Sequence, residues 1–169
     1  MKRTTILAAL LVAVSLMSTG CGTSDYVQSI ELTATTSSVG GGVYNLEGWG
    51  GTLQLQVNAV YHSGKTIPVS NDVTYAVTPD GTDDVGNALQ APPKTATINT
   101  TGMMTAVDPT ACTWTDLTPS SSTPSWALSG SYQVIATYRG MNSQPVFVAV
   151  ASAASSTNPK GQCGPSSSS

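Results

Sequence analysis

The chain is 169 residues long with a net charge of −3, and 9 % of its residues are charged, against about 25 % in an average soluble domain. That length supports one core of ordinary size without a stapling metal, and 46 serines and threonines fill the place of the missing charges. No basic cluster is present to neutralise phosphates, which excludes nucleic-acid binding.

The chain opens on Met1-Lys2-Arg3, followed by an almost unbroken apolar run from Ile6 to Met17 and the small residues Ser18-Thr19-Gly20. A basic start, a short apolar stretch and a small-residue cleavage site read as a secretory signal over residues 1–20. The run is too short to span a bilayer, which takes roughly 20 apolar residues. Cys21 directly after the small residues resembles a bacterial lipobox, although Ser18 stands where that pattern prefers Leu. The resemblance implies signal cleavage, a lipid-modified Cys21 and a short tether over residues 21–26. The membrane is then a partner through the N-terminal lipid, since each buried methylene adds about 0.8 kcal/mol. Gly22 stands where inner-membrane lipoproteins often carry Asp, so the outer membrane or cell surface is the favoured address. The other reading is a secreted protein cut near Gly20, with Cys21 a free or bridged thiol. With Lys2 and Arg3 removed, four basic residues face nine acidic ones, a balance of −5.

Period-2 alternation then recurs along the chain, bounded by Gly, Pro, Asn and Asp. Ile30, Leu32 and Ala34 alternate with Glu31, Thr33 and Thr35. The cleanest strand carries Leu53, Leu55, Val57, Ala59 and Tyr61 on one face, a pattern that a one-residue slip would turn outward. Val73, Tyr75 and Val77 give a shorter strand, and Ala96-Ile98 and Met104-Ala106 flank a turn at Thr101-Gly102. Tyr132 to Tyr138 and Val146 to Val150 complete the series. About seven short strands without helical periodicity predict an all-β antiparallel sandwich. Gly40-Gly41-Gly42 and the glycines around Trp49 read as a flexible connection between the first two strands.

Two long loops break the rhythm, at residues 78–94 and 108–130, and a Ser-rich tail read as flexible covers residues 152–169. The second loop carries Cys112, Trp114 and Trp126. Three cysteines is an odd count. If Cys21 carries lipid, Cys112 and Cys163 remain as a pair in an oxidising compartment. Their disulfide would close about 51 residues and add about 4 kcal/mol in the chain-entropy model. Two free thiols is the alternative.

The segments Ser29-Ile30-Glu31-Leu32-Thr33, Gly51-Thr52-Leu53-Gln54-Leu55-Gln56-Val57, Tyr61-His62-Ser63-Gly64-Lys65, Val73-Thr74-Tyr75, Gly102-Met103-Met104-Thr105-Ala106 and Gly130 to Tyr138 follow one another in a telling order. Together they resemble a bacterial immunoglobulin-like domain of group 2, the type repeated in invasin and intimin adhesins, over residues 27–151. The resemblance implies an immunoglobulin-like antiparallel β-sandwich with Tyr75 as the central aromatic. It also gives Tyr132 the place of a tyrosine corner, and Val134 that of the missing second cysteine. The 108–130 loop is long where the family's connection is short.

Chemistry is sparse. His62, the single histidine, has no marked nucleophile and acid beside it, so no catalytic residue is assigned and an enzyme is not expected. Asp80-Gly81-Thr82-Asp83-Asp84 lacks the spacing of a known calcium loop and reads as a solvated turn. There is no CxxC or Cys/His set for zinc, so neither a metal nor a cofactor is assigned. Trp114 and Trp126 form the candidate binding loop, for a glycan ring or a protein partner, or else a local mini-core beside Cys112. The expected function is non-enzymatic adhesion or another surface interaction with protein or glycan, by a lipid-anchored envelope protein. The alternative is a structural or accessory component of a periplasmic or outer-membrane assembly.

Overall fold

The computed structural model describes residues 24–36, 38–39, 41–108, 110–155 and 161–163. The expected signal segment, the expected lipidation site Cys21 and part of the Ser-rich tail lie outside the described residues. No helix among the described residues is long and apolar enough to cross a membrane.

Each alternating segment of the sequence forms a strand. The first sheet holds β1 (Val27–Ala34), β3 (Thr52–Tyr61), β4 (Thr66–Val69), β6 (Ala96–Ile98) and β7 (Met103–Ala106), in the order β1-β3-β7-β6 with β4 also on β3. The second holds β2 (Val43–Glu47), β5 (Val73–Gly81), β10 (Gly130–Tyr138), β11 (Met141–Asn142) and β12 (Val146–Ala151). In that sheet β10 is central, with β5 along one edge and β11 and β12 on the other, and β2 outermost beyond β12. This is the two-sheet layout of a constant-type immunoglobulin domain, ABED facing CFG. Five short strands are added to the seven expected ones. Two of these, β8 (Trp114–Asp116) and β9 (Trp126–Leu128), form a separate hairpin inside the 108–130 loop.

One pairing departs from the antiparallel expectation: β2 runs parallel to β12, from Val43↔Phe147 to Glu47↔Ala151. The chain leaves β1 and crosses to the other sheet through Gly41 and Gly42, at φ of 58° and 78°. It keeps its direction as it crosses, so β2 meets β12 head to head.

The inward faces are those the alternation marks. Leu53, Leu55, Val57 and Ala59 of β3, with Met104 of β7, are buried against Tyr132, Val134, Ala136, Val148 and Val150 of the facing sheet. Each large aliphatic side chain buried this way adds about 1.5–3 kcal/mol relative to exposure. Leu46 of β2 is also fully buried, although its segment reads in sequence as a glycine-flanked linker.

Two aromatic roles differ from expectation. Tyr75 is half-buried on the open side of the sandwich, where it borders a gap of about 400 Å³ with Val77, Pro92 and Ile98. It sits on β5, an edge strand, so its inward side chain meets the rim of the core. The central aromatic is Tyr132, with no exposed surface. Its hydroxyl donates to the Gln90 carbonyl at 2.7 Å, 42 positions away, so it pins the loop expected at 78–94, which begins only after β5 ends at Gly81, instead of closing the local turn of a tyrosine corner.

The registers define two poles. Tyr26, the Tyr61–Lys65 turn, Val73 and Tyr138 share one, where the His62 N–H donates to the Tyr26 carbonyl at 2.9 Å. Glu47, Gly48, Gly81, Ala106 and Ala151 share the other, tied by Gly48 N–H to Ala151 C=O at 2.8 Å and Gly50 N–H to Ala106 C=O at 2.9 Å. The described chain enters at the first pole.

Candidate functional site

The features set apart in the sequence gather at the second pole. Cys112 and Cys163 are bonded as a disulfide with Cα atoms 6.2 Å apart. The bridge holds the 161–163 segment against the domain, and Gln162 is buried there. The start of the tail is also in place, with the Ser152 hydroxyl donating to the Gln162 carbonyl.

Beside the bridge, Thr113 is fully buried between the hairpin and β12. Its N–H donates to the Val150 carbonyl at 2.8 Å, and its Oγ1 accepts from the Val150 N–H at 2.9 Å. Its own carbonyl accepts from the Ser129 N–H at 2.8 Å, which ties in the second hairpin strand just before β10. Thr113 carries no sequence signal beyond its place next to a cysteine.

The hairpin pairs Trp114 with Leu128 and Asp116 with Trp126. Directly opposed residues of an antiparallel pair share a face, so both tryptophans lie on one side, diagonal to each other. They are nevertheless half-buried. The Trp114 Nε1–H donates to Asn45 Oδ1 on β2 at 3.1 Å, which folds this indole onto the sheet. Leu117 and Leu128 are the large apolar side chains that the hairpin leaves exposed.

The most exposed tryptophan is Trp49, at 75 % of its surface. It sits between Gly48 and Gly50, at φ of 71° and 75°, a left-handed turn that other residues rarely adopt. Far from being flexible, this turn is bound to β12 through Gly48 and to β7 through Gly50, and Gly51 N–H closes it on the Gly48 carbonyl at 3.1 Å. A tryptophan flanked by glycines was the visible signal for it.

Trp49 borders a cleft of about 300 Å³ whose other walls include Asp84, Asp108, Thr110 and the Cys112–Cys163 bridge. Asp84 is placed by its N–H, which donates to the Cys112 carbonyl at 2.7 Å. Burial pushes its carboxyl above the usual aspartate range, helped by neighbouring Asp83. Asp108 is held below that range by the backbone N–H and hydroxyl of Thr110, which meet its Oδ1 at 2.9 and 2.8 Å.

The remaining polar candidates are absorbed by turns. Asp83 accepts from the Asn87 backbone at 2.7 Å, the Asn87 side chain at 2.9 Å and the Val85 N–H at 3.2 Å, which closes the 83–87 turn. No group of three metal-ligating side chains occurs among the described residues. His62 stacks on Tyr26 at the opposite pole, with ring centroids 5.1 Å apart.

Fold and site together define an immunoglobulin-like β-sandwich whose individuality is concentrated at the pole farthest from its N-terminal strand entry. No family model and no curated protein matches the chain.

Proposed function

We propose that this is a non-enzymatic, lipid-anchored protein of the bacterial cell envelope, built on a group 2 bacterial immunoglobulin-like domain. It presents one pole of that domain to a protein or glycan at the cell surface. The observation that carries this reading is the separation of the two poles. Tyr26 is five residues from the lipidation site Cys21, which limits the tether to about 17 Å at full extension. The ten residues of β3 then span about 34 Å to the far pole. A short leash at one end and Trp49, the hairpin and the disulfide at the other suit a module that holds a recognition surface away from a membrane. The exposed Trp49, Val85, Leu117 and Leu128 give that end the apolar contact area a partner would cover.

Protease shaving of intact cells with mass spectrometry of the released peptides tests this. Peptides from residues 108–130 are expected in the released fraction. Their complete protection, where a known surface protein is shaved, would overturn surface presentation in favour of an inward-facing assembly component.

A further inference from the structure

We propose that the cleft beside Trp49 is a binding site for the pyranose ring of a neutral sugar. Trp49 supplies the stacking face, and Asp84 and Asp108 supply hydrogen-bond acceptors. The proposal rests on the surface-presentation reading for its biological setting and on the cleft alone for its chemistry.

Three observations converge. The first is the placement of Trp49: three-quarters of its surface is exposed on a turn locked into both sheets. A large apolar ring carried on a fixed backbone turn is a standing contact surface, and a backbone already ordered lowers the entropy cost of using it. The second is the cavity next to it, about 300 Å³, at the small end of the range for ligand pockets. That size suits a single sugar unit. The third is the chemistry of the walls. Asp84 and Asp108 line the cleft, and neither forms an ion pair with a described residue.

A pyranose matches this set because it has two kinds of surface. Its C–H face packs on an indole, while its rim of hydroxyls donates to carboxylates, and hydrogen bonds to ionised acceptors are the stronger kind. A basic ligand matches less well. One Asp108 oxygen is already occupied by two donors from Thr110. Acidic sugars are repelled by both carboxylates, which gives the site a selectivity rule. Trp114 and Trp126, the tryptophans that sequence reasoning singled out, are half-buried and contribute little to this surface.

The test applies the full chain, purified in detergent with its disulfide intact, to a glycan array of neutral, amino and acidic hexoses. The best neutral monosaccharide is then titrated against tryptophan fluorescence. A saturable change in emission is expected for a neutral hexose and not for a uronic acid. Followed by isothermal titration calorimetry, which does not use Trp49 as its reporter, Trp49→Ala should weaken binding at least about tenfold with far-ultraviolet circular dichroism and the thermal midpoint unchanged, because the indole is largely exposed. Asp84→Asn should weaken it several-fold, and about 0.5 M NaCl should leave it intact. No neutral-hexose signal up to about 50 mM would overturn the proposal, as would binding that survives both substitutions. Binding confined to amines or basic peptides and abolished by salt would replace it with a cationic ligand. Shaving and titration fail separately. Protected peptides with intact sugar binding would remove the surface setting, while released peptides without binding would remove the site.

Discussion

Thr113 and Val150 exchange three hydrogen bonds: N–H to carbonyl at 2.8 Å, Val150 N–H to Oγ1 at 2.9 Å, and Oγ1 to carbonyl at 3.3 Å. The ladder between β10 and β12 ends at Tyr132↔Val148, and Val150 is the next position facing that side. Thr113 therefore takes the place opposite Val150 that Gly130 of β10 would hold had β10 stayed paired with β12 beyond Tyr132. Its hydroxyl acts as the acceptor that a neighbouring strand normally provides, and this roots the hairpin in the sandwich.

Replacing Thr113 with Val keeps the shape but leaves the Val150 N–H buried without an acceptor. A loss of about 1–3 kcal/mol is expected, read as a lower urea midpoint with unchanged slope. Thr113→Ser, which keeps Oγ1, should recover most of it. An unchanged midpoint for the Val variant would remove Thr113 from this role.

The Cys112–Cys163 bridge closes 51 residues and constrains the unfolded chain by about 4 kcal/mol in the entropy model. Cys112→Ser should lower thermal stability by that amount or less and make the 161–163 segment accessible to protease. Free thiols in the unreduced wild type, with no change in the variant, would contradict the pairing.

Tyr132→Phe removes the donor to the Gln90 carbonyl while preserving the buried ring. The expected cost is about 1 kcal/mol, with faster hydrogen exchange around residues 89–91. A neutral result would mean that the 78–94 loop is held by other contacts.

Asp108 and Asp83 should titrate below the ordinary aspartate value of about 3.9 and Asp84 above it, as read by carboxyl carbon NMR. For Asp108 the Thr110 donors lower the folded value, so its stabilising contribution is present above the unfolded value and lost as pH falls through the folded one. Asp83 follows the same sign: desolvation, its largest single influence, raises the value, but the Asn87, Val85 and Gly86 donors together outweigh it. Asp84 has the opposite sign: burial penalises its ionised form, and protonation on acidification relieves that penalty. Coincident midpoints for all three would contradict the turn geometry.

The sandwich was legible wherever one strand face meets the core. The Leu53-to-Tyr61 alternation and the Tyr132-to-Tyr138 run became β3 and β10, the centres of the two sheets. The strands that escaped notice lack that signature. β2 reads Val-Tyr-Asn-Leu-Glu between glycines, and only Leu46 is deeply buried, because the strand is an edge pinned by backbone pairing to β12. β4 contains Pro68, and β5, read from sequence only as far as Val77, continues through Pro79, residues that argue against central strands but are tolerated at edges. At the site, the cysteines were readable from counting and the hairpin tryptophans from rarity. Trp49 was marked by its flanking glycines, but the roles of Thr113 and Asn45 depend on what lies across a gap of many residues, and no local pattern encodes that.

The two-pole arrangement also sets a load path. On the proposed function, with a lipid holding the Tyr26 end and a partner gripping the far end, tension would run along the strands. The hydrogen bonds between β1 and β3, from Val27↔Tyr61 to Ala34↔Leu55, lie across that direction. Force would therefore have to shear this ladder as a unit, because it cannot open it one rung at a time. A domain gripped at its two poles in this way would resist traction between them.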